Sequence, residues 1–351
     1  MTTKIAINGF GRIGRCVLRS LIENNVSDIE VAAINDLAAP QSLANLLKYD
    51  SVHGRLKADI RVDDDSLFVN GRAIRLTSIR TPQDLPWQDI DIALECTGFF
   101  TSREKAELHL KNGAKKVLIS APGTGVDRTV VFGVNHRDLT ASDVIVSNAS
   151  CTTNCLAPLA MVLDRAFGIL TGYMTTVHSY TGDQPTHDSD HRDPYRARAA
   201  AVSMVPTSTG AARALVAVLP HLKGRLEGSA IRVPTPNVSL VDLAFMPERV
   251  ATTETVNAAL REASLGDLAG ILSYEVDPMV SVDFNHDPHS SCFAPSQTTV
   301  TKGGLVRVVS WYDNEWGFSN RMIDTARAMA ATGAAYLGAA QKRQPAPAAA
   351  E

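Results

Sequence analysis

The sequence is poor in cysteine and nearly neutral, and each property excludes classes of protein. It has five cysteines in 351 residues, an odd number that is too small for a disulfide framework. Its 34 Lys and Arg against 37 Asp and Glu give a net charge of −3, which argues against a general nucleic-acid binder. Apolar residues make up 45 %, which argues against disorder and allows two domains with separate cores. We therefore expect a globular protein of a reducing compartment, the cytoplasm, with one or two reactive thiols.

We expect neither a secretory signal nor a membrane span in this sequence. Residues 1–4 lead directly into a strand-like segment, with no apolar signal region before it. Residues 144–163 carry no charge and are long enough to span a bilayer, but hydroxyl and amide side chains occupy their centre. We expect a buried strand, a polar turn and a buried helix in this stretch.

The first half of the chain alternates short apolar runs with segments of helical spacing, which predicts βαβ units and a parallel sheet covered on both faces. The predicted strands are residues 4–8, 30–35, 91–97, 116–120 and 144–147, and the predicted helices are residues 11–24, 41–49 and 102–112. Asn70-Gly71 lies between two stretches with a period of two residues, which indicates a hairpin inserted in this sheet.

After Ser150, longer strands follow one another with fewer helices, which predicts a largely antiparallel second sheet. These strands are residues 173–180, 228–233, 238–245 and 303–312, and a closing helix is predicted over residues 320–330. The predicted fold class is therefore α/β, with a Rossmann-type doubly wound dinucleotide-binding domain and an α+β domain with a mainly antiparallel sheet. The tail from Gln341 is rich in Ala and Pro, and we expect it to be disordered.

A glycine motif follows the first predicted strand and opens the first predicted helix. Gly9 permits a tight turn, Gly11 lets the backbone approach a pyrophosphate, and Gly14 lets the helix pack closely on the strand. The helix N-terminus favours an anion. The alternative is a tight turn without a ligand, but the strand–helix context favours a dinucleotide site.

Polar residues at later strand ends extend this site. Asp36 ends the second predicted strand about 20 residues beyond the glycines, where a carboxylate binds the ribose 2′-hydroxyl. Because a carboxylate repels a 2′-phosphate, NAD is favoured over NADP, although Asp36 could instead cap a helix or turn. Thr97 and Ser120 end two further strands at the sheet edge where a dinucleotide lies. Alone, both would be ordinary turn residues, and Arg80 would be a solvated surface charge.

The segment from Ser147 to Cys155 joins the last strand of the first domain to a helix. A cysteine in the first helical turn has its pKa lowered by the helix dipole and the free N–H groups, so Cys151 is the predicted nucleophile. Cys155 lies one turn deeper and should be buried. The pair could instead ligate a metal or be plain core cysteines, but no second pair has ligand spacing, so no metal is predicted. We expect structural positions for Cys16, Cys96 and Cys292.

Among the nine histidines, His178 differs because it interrupts the apolar strand over residues 173–180. A single histidine in a strand can also be a core residue with satisfied hydrogen bonds, and spacing does not show whether His178 meets Cys151. The other histidines lie in polar segments, which predicts surface or turn positions for His53, His109, His136, His187, His191, His221, His286 and His289.

Arginine and hydroxyl residues indicate anion binding in the second half of the chain. Arg232 lies inside an apolar strand, where an unpaired charge is costly, so it needs an anion from a carboxylate or a substrate. Thr209 and Gly210 begin a helical pattern, a suitable N-terminus for an anion. Thr181 follows the histidine strand, and Arg196 lies beyond it. Arginine and hydroxyls suit phosphate, although ordinary ion pairs and helix caps would use the same residues.

These motifs together resemble phosphorylating glyceraldehyde-3-phosphate dehydrogenase over about residues 3–332. The segment SNASCTTNCLAP at residues 147–158 is close to diagnostic. The other signatures, in order, are residues 7–15 (INGFGRIGR), 48–55 (KYDSVHGR), 175–184 (TTVHSYTGDQ), 206–212 (PTSTGAA), 232–238 (RVPTPNV) and 310–319 (SWYDNEWGFS).

The resemblance implies a role for each matching residue. It implies that Cys151 is the nucleophile and His178 its base. The residues that match the family's NAD contacts are Arg12, Ile13, Asp36, Arg80, Ser120 and Asn314, beside Gly9, Gly11, Gly14 and Thr97 from the motif and the strand ends. The residues that match its two phosphate sites, for the substrate phosphate and for inorganic phosphate, are Ser150, Thr152, Thr181, Arg196, Thr209, Gly210 and Arg232.

The implied reaction is the reversible oxidation of glyceraldehyde 3-phosphate to 1,3-bisphosphoglycerate in glycolysis or gluconeogenesis. The Cys151 thiolate would attack the aldehyde to give a hemithioacetal, and His178 would take the hydroxyl proton. Hydride would pass to a nicotinamide that Asn314 orients. Inorganic phosphate would then release the acyl group from the resulting thioester.

The chain departs from the family at one point that bears on the cofactor. Ser189-Asp190 stand where many NAD-specific members have Leu-Pro. Residues 281–291 also resemble erythrose-4-phosphate dehydrogenase, but Thr181-Gly182 and Thr209-Gly210 match the triose enzyme. A non-enzymatic dinucleotide-binding regulator is a further alternative, and the complete set of thiol, histidine and anion-binding residues argues against it.

The resemblance also implies domain limits and an assembly. We expect an NAD-binding domain over residues 1–150, a catalytic domain over 151–316, a C-terminal helix over 317–335 that packs back on the first domain, and a disordered tail over 336–351. The family is homotetrameric. No surface dedicated to nucleic acid or membrane is expected.

Overall fold

The computed structural model describes residues 2–341, with side chains in the last helix described to Thr332. The elements of the first half are β1 (Thr3–Asn8), α1 (Arg12–Glu23), β2 (Ile29–Asn35), α2 (Pro40–Lys48), β3 (Tyr49–Asp50), β4 (Gly54–Arg55), β5 (Ile60–Asp63), β6 (Ser66–Val69), β7 (Arg72–Thr77), β8 (Ile92–Glu95), α3 (Arg103–Lys111), β9 (Lys116–Ile119), β10 (Arg128–Thr129) and β11 (Ile145–Ser147).

Nine of these strands form the first sheet, in the order β10-β11-β9-β8-β1-β2-β7-β6-β5. The strands from β10 to β7 are parallel, and β6 and β5 extend the sheet as antiparallel strands. Asn70 and Gly71, both with positive φ, turn the predicted hairpin between β6 and β7. Because the chain leaves β1 for β2 on one side and later returns to β8 on the other, the strand order reverses at β1. A crevice opens at such a point outside the carboxyl ends of the strands.

The elements of the second half are α4 (Cys151–Phe167), β12 (Ile169–Ser179), β13 (Val205–Ser208), α5 (Ala211–Val218), β14 (Leu226–Val233), β15 (Ser239–Pro247), α6 (Thr253–Leu265), β16 (Leu272–Tyr274), β17 (Ser291–Phe293), β18 (Thr299–Val300), β19 (Val306–Tyr312) and α7 (Trp316–Gln341).

The second sheet has the order β13-β14-β12-β15-β19-β17-β16, and β18 pairs with β19. It is mainly antiparallel, with parallel pairs only between β12 and β14 and between β16 and β17 in the described chain. Helices α4, α5 and α6 pack together on one side of it over a shared apolar core. The predicted fold class, a doubly wound parallel sheet followed by a mainly antiparallel one, is confirmed.

Helix α7 returns from the second sheet to the first half of the chain. It packs against α1 and adds Phe318, Met322 and Ile323 to the apolar core of the first sheet. It begins four residues before the predicted helix and continues to Gln341, so it covers the first part of the predicted tail. Residues 342–351, the remainder of that prediction, lie outside the described residues.

In the described part of the chain, no helix combines the length and the apolar character that crossing a membrane requires. The uncharged stretch over residues 144–163 contains β11, a turn and the start of α4, as predicted.

Candidate active site

The glycine motif forms a crowded loop between β1 and α1. A Cβ on Gly14 would lie 2.3 Å from the carbonyl oxygen of Gly9, so α1 approaches the strand as closely as the motif predicts. Gly9 has φ +90° and lies against the backbone of Thr97, which follows β8. A Cβ on Gly11 would meet no atom within 4 Å, so Gly11 faces open space at the helix N-terminus. The loop therefore leaves room for a ligand at Gly11 alone of these three positions.

Asp36 lies at the end of β2 and is tied to the glycine loop. Its carboxylate accepts hydrogen bonds from the backbone N–H groups of Phe10, at 2.8 Å, and Ala38, at 2.9 Å. It also lines a pocket of about 260 Å³ with Asp65, Thr77, Ser78 and neighbouring residues. Asp36 therefore stabilises a turn and also faces a concave surface at the sheet edge, and its contact with a ribose stays a prediction.

The other residues predicted for the nucleotide lie along the same edge with different partners. The Arg12 guanidinium pairs with Asp50 and with Glu315, so its charge is already used inside the chain. Thr97 donates its backbone N–H and its hydroxyl to Glu95. Arg80 is exposed and Ser120 is half-buried.

Asn314 precedes α7 and reaches the end of β12. Its side-chain oxygen accepts hydrogen bonds from the hydroxyls of Ser179 and Ser239, each at 2.9 Å. These two bonds leave its amide nitrogen free to donate to another group. The sequence did not predict the contact of these two serines with Asn314, because they lie 135 and 75 residues before it.

Cys151 is the first residue of α4, and the turn before it is strained. Ser150 caps the helix by accepting the backbone N–H of Thr153 at 3.1 Å. Ala149 has φ +57°, a left-handed conformation that is uncommon for a residue with a side chain and clusters at functional sites. The thiol of Cys151 lies 3.5 Å from Nε2 of His178. The structure therefore brings together two residues that come from different parts of the sequence.

The hydrogen bonds of His178 define its tautomer. Its Nδ1 lies 2.7 Å from the carbonyl oxygen of Ser179, a distance that requires a proton on Nδ1. Arg232 approaches the same nitrogen at 3.2 Å, but its Nη1 also donates to the Ser179 carbonyl and to the Thr181 hydroxyl. The contact between Arg232 and Nδ1 is therefore electrostatic, and Nε2 presents a lone pair to the thiol.

Burial disfavours a charge on Cys151 alone and on His178 alone. Burial raises the pKa of Cys151, while Arg232 and the N–H of Thr152 lower it. The predicted lowering by the helix N-terminus is thus outweighed in this structure. Burial and Arg232 lower the pKa of His178 to about 3. A proton that moves from the thiol to Nε2 adds no net charge to the site, so the two groups titrate as one unit.

Arg232 lies beside His178 because the two residues are direct neighbours in the parallel register of β14 and β12. Its Nε is buried and has no hydrogen-bond partner among the described residues. Burial and the nearby Arg196 lower the pKa of Arg232. Two positive charges therefore lie at one location. Such a site is suited to an anion.

Asp183 is a residue of this location that the sequence reasoning missed. Its carboxylate accepts from Arg196 at 3.1 Å and from the hydroxyl of Thr181. It is partly exposed and lies in the loop after β12. Asp183 therefore binds Arg196 and Thr181, two residues that the sequence predicts to bind phosphate. The only signal for it in the sequence was its position next to Thr181-Gly182.

The remaining predicted anion-binding residues lie at two helix N-termini. Gly210 is the residue before α5, and the Thr209 hydroxyl accepts the N–H of Ala211 at 3.2 Å. Helix α5 packs against α4. Thr152 is buried, and its hydroxyl bonds to that of Tyr312 at 2.8 Å.

The prediction of a surface or turn position is wrong for His109, which is fully buried in α3 and bonds to Glu95 and Trp87. His53 lies in a turn, as predicted, but its side chain is buried and contacts His286 and Glu315 across the two halves of the chain. Both segments are polar in sequence, but a helix or loop from elsewhere covers them.

The other four cysteines differ from Cys151 in their electrostatic surroundings. Burial raises the pKa of Cys96 and Cys155 to about 12, and it raises those of Cys16 and Cys292 well above the ordinary value. Cys155 lies in the core, as predicted, and its sulfur contacts the Ser291 hydroxyl at 3.6 Å. The sulfur of Cys151 lies 3.5 Å from a histidine nitrogen, and the Arg232 charge lowers its pKa.

The chain is similar to known proteins. The family model described as the glyceraldehyde 3-phosphate dehydrogenase NAD binding domain matches residues 3–103, and the model of the C-terminal domain matches residues 150–314. The chain is 62 % identical over 329 residues to a glyceraldehyde-3-phosphate dehydrogenase of Cereibacter sphaeroides, which covers 94 % of this chain and 99 % of that protein.

Two further relatives of the same name show similar agreement. The protein of Xanthobacter flavus is 58 % identical over 335 residues, covering 95 % of this chain and 100 % of its own length. The protein of Pseudomonas aeruginosa is 56 % identical over 334 residues, covering 94 % and 99 %. A glycine loop, a thiol paired with histidine and matches in both halves lead to one conclusion: the chain belongs to the glyceraldehyde 3-phosphate dehydrogenase family of NAD-dependent oxidoreductases.

Proposed function

We propose that the protein catalyses the phosphorylating oxidation of glyceraldehyde 3-phosphate to 1,3-bisphosphoglycerate, with NAD and inorganic phosphate. The observation that carries the proposal is the contact between the Cys151 thiol and Nε2 of His178, with Arg232 next to the imidazole. A nucleophile, a base and a buried cation then share one location, which is what oxidation of a phosphorylated aldehyde requires.

NAD fits the edge of the first sheet. The open position at Gly11 would admit the pyrophosphate, Asp36 would bind the adenosine ribose, and the amide of Asn314 would orient the nicotinamide. The residues that complete this proposed site are Gly9, Ile13, Gly14, Arg80, Thr97, Ser120 and the backbone of Arg12. When bound, NAD accepts the hydride that the oxidation releases.

The chain's own residues prepare the aldehyde for that oxidation. Nε2 of His178 takes the proton from the Cys151 thiol, and the thiolate attacks the aldehyde carbon to form a hemithioacetal. The protonated Nε2 then gives this proton to the oxygen of the hemithioacetal, and Nε2 takes it back when the hemithioacetal is oxidised. The Ser179 carbonyl holds Nδ1–H throughout, so Nε2 remains the nitrogen that exchanges the proton.

Two groups of residues are proposed to hold phosphates. Thr181, Arg196 and Arg232 would bind one phosphate, which displaces Asp183 from Arg196 and Thr181. The backbone groups at Ser150, Thr152, Thr209 and Gly210 would bind the other, near the N-termini of α4 and α5. One group holds the substrate phosphate and the other the attacking inorganic phosphate.

The relatives favour the triose substrate over erythrose 4-phosphate, since those compared here are named for glyceraldehyde 3-phosphate. Asp36 supports NAD over NADP. Asp65 lines the same pocket and adds a second carboxylate against a 2′-phosphate. The regulator hypothesis explains neither the paired thiol nor the buried arginine.

The proposal extends to domains and assembly. Residues 1–150 would bind NAD, residues 151–316 would carry the chemistry, and residues 317–335 would pack on the first unit. A homotetramer would cover exposed apolar side chains that include Val202, Met204 and Val282. A cytoplasmic location suits a reduced Cys151.

The test is a steady-state assay of NAD reduction by the purified chain with glyceraldehyde 3-phosphate. We expect turnover only with phosphate or arsenate present. Equal turnover without either anion would contradict the acyl-phosphate product. A matrix of kcat/KM for the two sugar phosphates against NAD and NADP distinguishes the substrate and cofactor alternatives.

A further inference from the structure

Four polar side chains lie side by side across the carboxyl end of the first sheet. Asn8 pairs in register with Asn35 on one side and with Glu95 on the other, and Asn35 pairs with Thr77 on the next strand. Asn8, Asn35 and Glu95 are buried, and Thr77 is half-buried. We call Thr77, Asn35, Asn8 and Glu95 the polar ladder.

The side chains of the polar ladder are joined by direct hydrogen bonds. Nδ2 of Asn35 donates to Oδ1 of Asn8 at 2.8 Å, and the Thr77 hydroxyl donates to Oδ1 of Asn35 at 2.9 Å. Asn35 also bonds both backbone groups of Ile79, beyond the end of β7. Nδ2 of Asn8 donates to Glu95 at 2.7 Å. Four adjacent strands are thereby connected through side chains at their carboxyl ends.

Glu95 is the end of the ladder with the most hydrogen bonds. One carboxylate oxygen accepts the N–H and the hydroxyl of Thr97, and the other accepts from Asn8 and from Nε2 of His109, at 2.9 Å. His109 must donate through Nε2, because its Nδ1 accepts the indole N–H of Trp87 at 2.9 Å. Glu95, His109 and Trp87 are at most 1 % exposed. Both oxygens of Glu95 therefore face only donors.

Three of the turns proposed to contact NAD follow members of this ladder. Gly9 follows Asn8, Asp36 follows Asn35, and Thr97 lies two residues after Glu95. The turns are in contact as well, because a Cβ on Gly9 would lie 2.8 Å from the backbone nitrogen of Thr97. A shift of one ladder side chain would displace turns that must bind one ligand together.

We propose that the polar ladder, anchored by Glu95 and His109, positions the NAD-binding turns before the cofactor arrives. These residues act through the turns, so they are positioning residues for the cofactor. The inference rests on the proposed nucleotide site. It predicts that a change in Glu95 weakens NAD binding without changing the chemistry at Cys151.

The test is Glu95→Gln, which replaces an acceptor oxygen by an NH₂ group facing donors. The matched control is Asp143→Asn, because Asp143 is a buried carboxylate that also accepts several hydrogen bonds, from Thr140 and Arg128, before β11 begins. We expect the NAD Kd by titration calorimetry to rise about tenfold or more in Glu95→Gln and less than twofold in Asp143→Asn. The kcat at saturating NAD should remain within about twofold for both variants.

A second pair of variants keeps the inference testable if Glu95→Gln does not fold. His109→Gln keeps a donor near the position of Nε2, and His109→Leu removes it. We expect His109→Leu to raise the NAD Kd about tenfold and His109→Gln to restore most of the affinity.

Equal Kd values for Glu95→Gln and the unmodified chain would overturn the proposed role of the ladder. Equal losses in Glu95→Gln and Asp143→Asn, or in both His109 variants, would also overturn it, since they would indicate general destabilisation. A failure of the unmodified chain to bind NAD would instead contradict the proposed function.

Discussion

The two halves of the proposed site differ in how completely their polar side chains are hydrogen-bonded within the chain. At the nucleotide edge, Glu95 and Asn35 accept or donate hydrogen bonds on both sides, and the turns rest on them. At the thiol, Arg232 keeps a buried Nε without a partner among the described residues, and Asp183 occupies Arg196 and Thr181. On the proposals above, the first half is prepared before a ligand binds, and the second would be completed by the anions of the reaction.

This difference has a physical reason. NAD is a large ligand that makes many contacts, so a shared frame lowers the cost of ordering the turns on binding. Phosphate enters and leaves in each turnover, so a site that bound it with no competing carboxylate would hold it too strongly. Asp183 lowers the net attraction at Arg196 by offering an internal anion.

The largest expected effect separates chemistry from cofactor binding. Cys151→Ser should lower kcat by at least about 10⁴-fold, since an alcohol is a far weaker nucleophile beside the same base. The NAD Kd should stay within about twofold because the sheet edge is unchanged. The control is Cys155→Ser, which should remain active because its sulfur lies in the core. An inactive Cys155→Ser with an active Cys151→Ser would reverse the assignment of the nucleophile.

The next effect concerns the anion site. Arg232→Ala should lower kcat/KM for the sugar phosphate by about 100-fold, since it removes charge-assisted hydrogen bonds to phosphate. Arg225→Ala is the matched control, because Arg225 lies directly before the same strand, β14, and forms a partly exposed ion pair with Glu248. If Arg232→Ala weakened NAD binding as much as substrate use, the two halves would not be separable.

A smaller effect is expected on cofactor choice. Asp36→Ala should raise the ratio of kcat/KM for NADP to that for NAD by about tenfold, because a carboxylate no longer repels the 2′-phosphate. Asp65→Asn should shift the ratio in the same direction by about twofold, since this exposed charge is screened by solvent. An unchanged ratio in Asp36→Ala would move the determinant of cofactor preference to another residue.

The smallest effect distinguishes packing from ligand contact within the glycine loop. Gly14→Ala should lower the free energy of unfolding by about 1–3 kcal/mol, because its Cβ would overlap the Gly9 carbonyl. Gly11→Ala should leave thermal unfolding nearly unchanged and raise the NAD Kd, because its Cβ would enter only the open space. A loss of stability in Gly11→Ala equal to that in Gly14→Ala would show that both glycines serve packing alone.

Local patterns allowed much of this to be predicted. The alternation of strands and helices predicts the fold class, and the glycine spacing predicts the close contact of α1 with β1. The position of Cys151 at a helix start and the depth of Cys155 one turn later follow from helix geometry alone. These inferences succeed because each depends on residues within about one element of chain.

The histidines show where such reasoning ends. His109 and Trp87 are 22 residues apart, and His109 has a polar neighbourhood, yet the two side chains meet in the core. His53 contacts His286 across 233 residues. A local composition describes the segment, whereas burial depends on which distant segment packs over it.

The sequence by itself thus determined the type of each half: a sheet edge suited to a dinucleotide, and a thiol at the start of a helix. Both depend on the spacing of residues that are close together in the chain. Only the tertiary structure decided that His178 faces Cys151, that Arg232 lies beside it, and that Glu95 joins the turns. Those contacts arise from strand register and sheet order, which connect residues far apart in the chain through hydrogen bonds that no local pattern encodes.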